Sequence, residues 1–296
     1  MIGMRTIRFA FSAVLIPLLL SVCVQDVFGW SKTGHSTVGQ VAENHLTPKA
    51  RAALRKYLGV PLAGIASDAD AFRAYWTLDL GFIPSNPDDA RLKWLKKFDF
   101  TTPLNISPWS HSITVDEDFN CFKTDNLDGA YINNAAYYVD RLAAELRDHA
   151  EEMSPFERYK AIALITHLIG DMHCPMHIVY LPKNTVKGHI NVTYKGKQYI
   201  LHNIWDLYIV NEFATSFCDM TVLVDTATSE EISEITKGTV YDWASDCGRK
   251  CWETCNEHKE GDTLPSTYYY DHRDLLFSQL RNGGYRLAKV FNDIFE

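Results

Sequence analysis

Beyond its first 30 residues, the sequence has no apolar run of the roughly 20 residues that a membrane span requires. A shorter run stands at the start: Arg5 and Arg8 precede an apolar segment from residue 9 to residue 24, and residues tolerated at a cleavage site follow it. This order is typical of a secretory signal peptide, and the run is short for a membrane anchor. We therefore predict that residues 1–29 are removed and that the mature, secreted chain begins at Trp30 without an anchor.

Positive charge is also scarce. The chain has 29 Lys and Arg residues against 37 Asp and Glu residues, which gives a formal net charge of −8. Proteins that hold nucleic acid through bulk charge are usually basic, so the composition argues against that class. A site for phosphate groups in this chain must obtain its positive charge locally.

Internal repeats, low-complexity segments and linkers rich in proline or serine are absent from the sequence as well. The length suits one domain with a substantial core, and most of the apolar residues recur at helical spacing. We predict an all-α fold of packed helices over residues 30–296, with a small β-hairpin.

Local signals place several of these helices. Thr47 is a suitable N-cap before Pro48, and Gly59 is a suitable stop. Apolar residues at helical spacing also run from residue 128 to residue 148 and from residue 275 to residue 295.

Ser154-Pro-Phe-Glu157 is a capping box with proline in the first turn, and it opens a further helix. The alternation in residues 190–194 and 197–201, around Lys-Gly, predicts the β-hairpin.

Seven cysteines are present, and Cys23 would leave with the signal peptide. In an oxidising compartment the other six are expected to form disulfides, although six cysteines allow 15 pairings and the sequence does not choose among them. These six are Cys121, Cys174, Cys218, Cys247, Cys251 and Cys255. A zinc cluster of the last three, which follow one another at intervals of four, is the alternative.

Two segments have the pattern of N-glycosylation acceptors, Asn105-Ile-Ser107 and Asn191-Val-Thr193. Pro108 directly after the first segment makes that segment the poorer acceptor.

The strongest chemical signal is a series of histidines and aspartates. His167 and Asp171 are four residues apart, so they share one face of a helix. Pro175 ends or kinks that helix and turns the chain back, which brings His177 toward the same helix end. His202 and Asp206 repeat the four-residue spacing. Imidazole and carboxylate groups at such spacing predict a metal site.

Further candidate site residues are scattered through the chain: the histidines and aspartate His35, Asp70 and His111, together with Trp30 and Arg73. With the residues above, and with Arg286-Leu-Ala288 near the end, they resemble the secreted single-strand-specific zinc nucleases that have 3′-nucleotidase activity. Bacterial zinc phospholipases C are related to that family. The resemblance runs from Trp30 to the C-terminal segment.

The resemblance implies three zinc ions. The first would be held by Asp70, His111, His167 and Asp171. The second would be held by His177, His202 and Asp206. The third would be held by the amine and carbonyl of Trp30, by His35, and by Asp171 as a bridge.

The resemblance further implies a monomeric phosphodiesterase that cleaves single-stranded DNA and RNA to 5′-nucleotides and also acts on 3′-nucleotides. Arg73 would contact the scissile phosphate beside the catalytic metal ligand Asp70; a surface ion pair of Arg73 with Asp68 or Asp70 is the alternative. His173 is interpreted as supporting a ligand carboxylate, Cys174 as a disulfide partner or buried thiol, and His189 and His258 as surface residues.

The segment after His111 departs from the family pattern. An aromatic residue and then an acidic residue or Asn are common there, whereas this chain has Ser112 and Thr114. Ser112 and Thr114 are therefore candidate substrate contacts, and we expect the base preference of the enzyme to differ from that of the family. Two other functions stay open: a zinc-dependent phospholipase C, which Asp206 and the short spacing from Trp30 to His35 disfavour, and a non-catalytic zinc-binding secreted protein.

Overall fold

The computed structural model describes residues 30–71, 111–181 and 188–296, with the backbone alone at 70–71 and 130–131. The α-helices within these ranges are α1 (Lys32–Asn44), α2 (Pro48–Leu58), α3 (Leu62–Ile65), α4 (Asp68–Ala71), α5 (Ala135–His149), α6 (Pro155–Met172), α7 (Leu201–Asn203), α8 (Phe217–Val224), α9 (Ser229–Ile235), α10 (Val240–Asn256), α11 (Tyr268–Asp271) and α12 (Arg273–Phe295). A π-helical turn (Ile204–Tyr208) and a 3₁₀ turn (Val210–Glu212) follow α7. The all-α class is confirmed.

The core is organised around α6, in which every residue from Lys160 to Met172 is buried. A helix that is apolar on all sides has to be covered by neighbours, and α1, α2, α5 and α12 all pack against it. The same helix carries His167 and Asp171 in its last turns, so the core itself fixes the two residues.

The predicted helix boundaries mostly hold. Thr47 caps α2, and Gly59 ends it with a left-handed φ of 70°. The Ser154 capping box opens α6, and the C-terminal segment forms α12.

The prediction of a helix from residue 128 is wrong over its first turns, because α5 begins only at Ala135, after the N-cap Asn134. Asp128 and Gly129 both have positive φ and turn the chain between two short strands. An Asp-Gly pair favours such a tight hairpin turn over a helix.

Three pairs of short strands accompany the helices: β1 (Ile113–Val115) with β4 (Ile178–Tyr180), β2 (Asn126–Leu127) with β3 (Ala130–Tyr131), and β5 (Asn191–Tyr194) with β6 (Lys197–Ile200). The pair β5–β6 is the predicted hairpin, with Asn191 opposite Ile200. The parallel pair β1–β4 was not predicted; it aligns Ile113 with Ile178 and so places the segments of His111 and His177 side by side.

Within the ranges that the structure describes, none of the helices combines the length and the apolar character of a membrane span.

Candidate metal centre

The centre begins at the C-terminal end of α6. The Nδ1 atom of His167 lies 3.0 Å from the carbonyl oxygen of Ala66, and since a carbonyl only accepts hydrogen bonds, Nδ1 carries the proton. The other ring nitrogen, Nε2, then faces Oδ2 of Asp171 at 3.0 Å. Both side chains are fully buried. The backbone thus sets the tautomer of His167 and directs its lone pair toward Asp171.

The other oxygen of Asp171 faces α1. Nε2 of His35 lies 3.2 Å from Oδ1 of Asp171, and the rings of His35 and His167 stack with centroids 4.2 Å apart. Gly170 permits this approach, because a Cβ atom at that position would lie 2.6 Å from Nδ1 of His35. Asp171 therefore stands between two histidines, one for each carboxylate oxygen.

A second cluster contains His177, His202 and Asp206, all of them buried. Nε2 of His202 lies 2.9 Å from Oδ2 of Asp206 and 3.0 Å from Nε2 of His177. Nε2 of His177 is 3.4 Å from Oδ1 of Asp206. Two ring nitrogens and a carboxylate thus converge on one point, as ligands of a cation do.

The hairpin and the π-helical turn position this second cluster. After β6, the backbone N–H of Leu201 donates to Ile190 at 2.9 Å and that of His202 donates to Gly188 at 3.0 Å. The chain then passes from α7 into the π-helical turn, which carries Asp206. Single π-helical turns are frequent at functional sites.

His111 and Trp30 complete the surroundings. The His111 carbonyl accepts a hydrogen bond from Nδ1 of His177 at 3.1 Å, and the two rings meet edge to face with centroids 5.1 Å apart. The backbone N–H of Ser31 donates to the carbonyl of Asp206, which holds the buried Trp30 next to the second cluster.

The electrostatics of the centre favour charged carboxylates. Burial raises the pKa of Asp171, but attraction to the protonated forms of His167 and His177 outweighs burial and holds the pKa well below its usual value. The pKa of Asp206 is lowered in the same way, against burial, by His202 and His177. Burial lowers the pKa of His177, whereas Asp206 and Asp171 raise it to about 9. The site thus demands positive charge beside its carboxylates.

The residues present fit zinc. Both oxygens of Asp171 are buried, and neither receives a hydrogen bond of normal geometry from the described residues. Buried carboxylate oxygens without hydrogen-bond donors are rare in proteins, unless a bound ion takes the place of the donors. Imidazole nitrogen and carboxylate oxygen are common zinc ligands, and the carbonyl partners of His167 and His177 are the outer contacts that orient such ligands.

Two predicted site residues lie at the edge of what is described. Arg73 lies outside the described residues, and Asp70 is described by its backbone in α4 alone. That short helix packs against α6, and the Tyr159 hydroxyl on α6 donates to the carboxylate of Asp68. The backbone of Asp70 is thereby anchored to the helix that carries His167.

The two predicted substrate contacts differ from each other. Ser112 is half-buried next to His111. Thr114 is not at the surface of the site: its side chain is 1% exposed in β1, and its hydroxyl donates to the Asn133 carbonyl. The expectation for Thr114 is corrected because its strand lies inside the core, where the hydroxyl needs an internal acceptor.

His173 does not orient a ligand carboxylate. Its Nδ1 donates to the Ile169 carbonyl at 2.8 Å, and its Nε2 accepts a hydrogen bond from Arg286 at 2.9 Å. It therefore links the end of α6 to α12. Cys174 performs the role expected of His173 instead, since its buried thiol lies 3.1 Å from Oδ1 of Asp206.

The expected disulfides are not formed in this structure, in which Cys121, Cys174, Cys218, Cys247, Cys251 and Cys255 are free thiols. The Cys251 and Cys255 sulfurs approach to 3.6 Å across one turn of α10, far beyond the bond length of about 2.05 Å. With Cys247 they form a buried face of the helix.

Sequence reasoning missed the supporting groups. The Ala66 and His111 carbonyls leave no residue-type signal, because any residue supplies a carbonyl. Gly170 did leave one: a glycine inside a helix, next to a proposed ligand, indicates the close approach of another group.

Comparison with known proteins identifies the family of this chain. A family profile described as S1/P1 Nuclease matches residues 30–296. Nuclease P1 of Penicillium citrinum is 28% identical over 299 residues, covering 90% of this chain and 97% of that protein. Endonuclease 2 of Arabidopsis thaliana is 23% identical over 314 residues, covering 95% of this chain and 96% of that protein. The chain belongs to the S1/P1 nucleases, a zinc-dependent family of hydrolases that act on nucleic acids.

Proposed function

We propose that the mature chain, starting at Trp30, is a secreted trinuclear-zinc phosphodiesterase. It hydrolyses single-stranded DNA and RNA to 5′-nucleotides and also removes phosphate from 3′-nucleotides. The observation that carries this proposal is the position of Asp171, with one oxygen facing His35 at 3.2 Å and the other facing His167 at 3.0 Å. A carboxylate in that position can bridge two ions, and the second cluster lies beside it.

Nine residues would hold the ions. One ion would take Asp70, His111, His167 and Asp171, a second would take His177, His202 and Asp206, and a third would take the Trp30 amine and carbonyl, His35 and Asp171. The amine exists only after cleavage at residue 29, which links the proposed signal peptide to the chemistry. Two zinc ions can activate a water molecule by lowering its pKa toward ~7 and can stabilise negative charge on the substrate.

The side chains contribute orientation. The Ala66 and His111 carbonyls fix the protons of His167 and His177 on Nδ1, so that Nε2 of each ring would be the ligand atom. The Cys174 thiol lies against Asp206 and limits its rotation. Arg73 would donate paired hydrogen bonds to the scissile phosphate, as guanidinium groups do.

The acidic composition is compatible with a nucleic acid substrate on this proposal. Three divalent cations would supply, at the reacting phosphate, the positive charge that a chain with a net charge of −8 does not supply by composition. With Ser112 where the family commonly has an aromatic residue, one stacking contact with a base, worth about 1–3 kcal/mol, is missing after His111. We expect the enzyme to have a weak base preference. We also expect it to be a monomer.

The test uses mature protein produced with Trp30 at its N-terminus and loaded with zinc. It is incubated with single-stranded DNA, the matching duplex, single-stranded RNA, 3′-AMP and phosphatidylcholine, with and without a chelator. We expect chelator-sensitive cleavage of the single strands and of 3′-AMP, with products bearing 5′-phosphate. Cleavage of phosphatidylcholine alone would make the protein a phospholipase, and no turnover at full zinc loading would make it a binding protein.

A further inference from the structure

A second group of metal-ligating side chains lies outside the catalytic centre. Glu257 caps the C-terminal end of α10, His258 follows it, and His272 stands at the start of α12. One donor atom of each residue lies within 4.8 Å of the other two. The group thus joins the ends of two long helices.

The proton of His272 is placed by the backbone. Its Nδ1 lies 2.9 Å from the carbonyl oxygen of Tyr268, so Nδ1 is the donor. Nε2 then lies 3.2 Å from Oε2 of Glu257. In the neutral ring this contact opposes two lone pairs, and it becomes favourable when a cation is added between them. His167 and Asp171 in the catalytic centre have the same arrangement.

The third member points to a cation rather than a proton. Nε2 of His258 is buried and makes no hydrogen bond with the described residues. The ring packs against Tyr268 with centroids 5.3 Å apart and lies 6.3 Å from the ring of His272. This buried nitrogen has the position of a metal ligand beside the donor atoms of Glu257 and His272. A simple ion pair between Glu257 and His272 leaves this buried nitrogen unexplained.

The group is open to ions from solvent. The Glu257 side chain is 56% exposed, and a surface cavity of about 370 Å³ lies next to Glu257 and His272. That cavity has room for water as a fourth ligand. Two histidines, one glutamate and one water form a common tetrahedral zinc set.

We propose that Glu257, His258 and His272 form a zinc site that is separate from the catalytic centre. The ion would tie the end of α10 to the start of α12. The His272 ring meets Trp205 edge to face with centroids 5.7 Å apart, and Trp205 donates from Nε1 to the Tyr268 hydroxyl at 3.0 Å. Trp205 directly precedes Asp206, so these contacts connect the proposed site to the π-helical turn that carries this catalytic ligand.

The experiment compares the zinc-loaded full enzyme with Glu257→Gln and with the matched control Glu253→Gln, which removes a charge from the same cavity but not from the group. Zinc per protein is measured after equilibration at buffered free zinc concentrations. We expect Glu257→Gln to bind one equivalent less at limiting zinc, with affinity at that site reduced at least about tenfold. The control should match the wild type, and all three proteins should cleave single-stranded DNA when zinc is saturating.

His258→Gln is the second variant. Like Glu257→Gln, it should bind one equivalent of zinc less than the wild type and should be stabilised less by zinc against thermal unfolding. The comparison is a difference of one ion, so it holds whatever number the catalytic centre binds. Equal zinc content and equal zinc-dependent stability in the wild type, Glu257→Gln and His258→Gln would overturn the proposal and leave only an ion pair. Absence of nuclease activity from all proteins would instead bear on the proposed function.

Discussion

Nε2 of His35, in the first helix, lies 3.2 Å from Oδ1 of Asp171, near the end of the sixth helix. The opposite oxygen of Asp171 is 3.0 Å from His167, which is one turn away on the same helix. A carboxylate whose two oxygens face different imidazoles is arranged to serve two cations. This relationship links the N-terminal segment to the core helix.

Asp171→Asn should remove two zinc ions together and lower nuclease activity by more than about 100-fold, since loss of even an outer contact of a metal ligand costs about 10–100-fold. Zinc content by mass spectrometry of the purified variant is the measurement. Asp293→Asn, a half-exposed carboxylate paired with Lys289, is the matched control and should keep all its zinc. Loss of a single ion from Asp171→Asn would show that Asp171 does not bridge.

Gly170→Ala should weaken the site while leaving the fold intact. The added methyl group would lie 2.6 Å from Nδ1 of His35, so the ring must move. Displacement of a ligand by about 1 Å can cost about 100-fold in activity. Steady-state cleavage of single-stranded DNA and zinc content are the readouts.

Gly64→Ala is the control for that substitution, because a Cβ atom there meets nothing within 4 Å. It should retain wild-type activity. Full activity and full zinc content in Gly170→Ala would mean that the position of His35 is not needed.

An extra residue before Trp30 should strongly reduce activity, because the terminal amine becomes an amide, whose nitrogen lone pair is delocalised into the carbonyl and is a poor metal ligand. An extension of the same length after Glu296 is the control and should have no effect. Activity is measured at saturating zinc on both forms. Undiminished activity of the N-terminally extended protein would exclude the amine as a ligand.

Asp225→Asn should destabilise the fold at neutral pH through a contact away from the centre. Burial raises the pKa of Asp225, but hydrogen bonds from Asn44, His45 and Tyr285 outweigh burial and lower it. Because the pKa is lower in the folded protein than in the unfolded chain, the carboxylate stabilises the fold at pH values above its pKa in the unfolded chain. This contribution disappears as the pH falls through the pKa in the folded protein.

The expected loss for Asp225→Asn is about 1–3 kcal/mol in the free energy of unfolding at pH 7, and it should shrink as the pH falls below 3.8, the ordinary pKa of an aspartate. Denaturant unfolding of wild type and variant at several pH values provides the comparison. A difference that stays constant down to acid pH would contradict the assignment.

The sequence was informative where the relevant distances are local. The four-residue spacings of His167 with Asp171 and of His202 with Asp206 translate directly into contacts of 3.0 and 2.9 Å, because helical geometry repeats at that interval. The Ser154 capping box and the Lys195-Gly196 turn are local in the same sense.

Contacts between segments that are distant in the sequence could not be predicted from residue spacing. The parallel pairing of Ile113 with Ile178 joins distant segments, and it explains why Thr114 is buried rather than exposed to substrate. The contact of His35 with Asp171 likewise depends on how α1 packs against α6. The turn at Asp128 was locally encoded, but the apolar spacing around it suggested a helix.

The most direct test of the account is a crystal structure of the mature protein with zinc and a single-stranded oligonucleotide, with anomalous diffraction collected at the zinc edge. We predict separate peaks on the two sides of Asp171, one next to His35 and one next to His167, with a third beside His177, His202 and Asp206. A single peak shared by His35 and His167, or no peak at Asp171, would contradict the bridging role and with it the trinuclear centre.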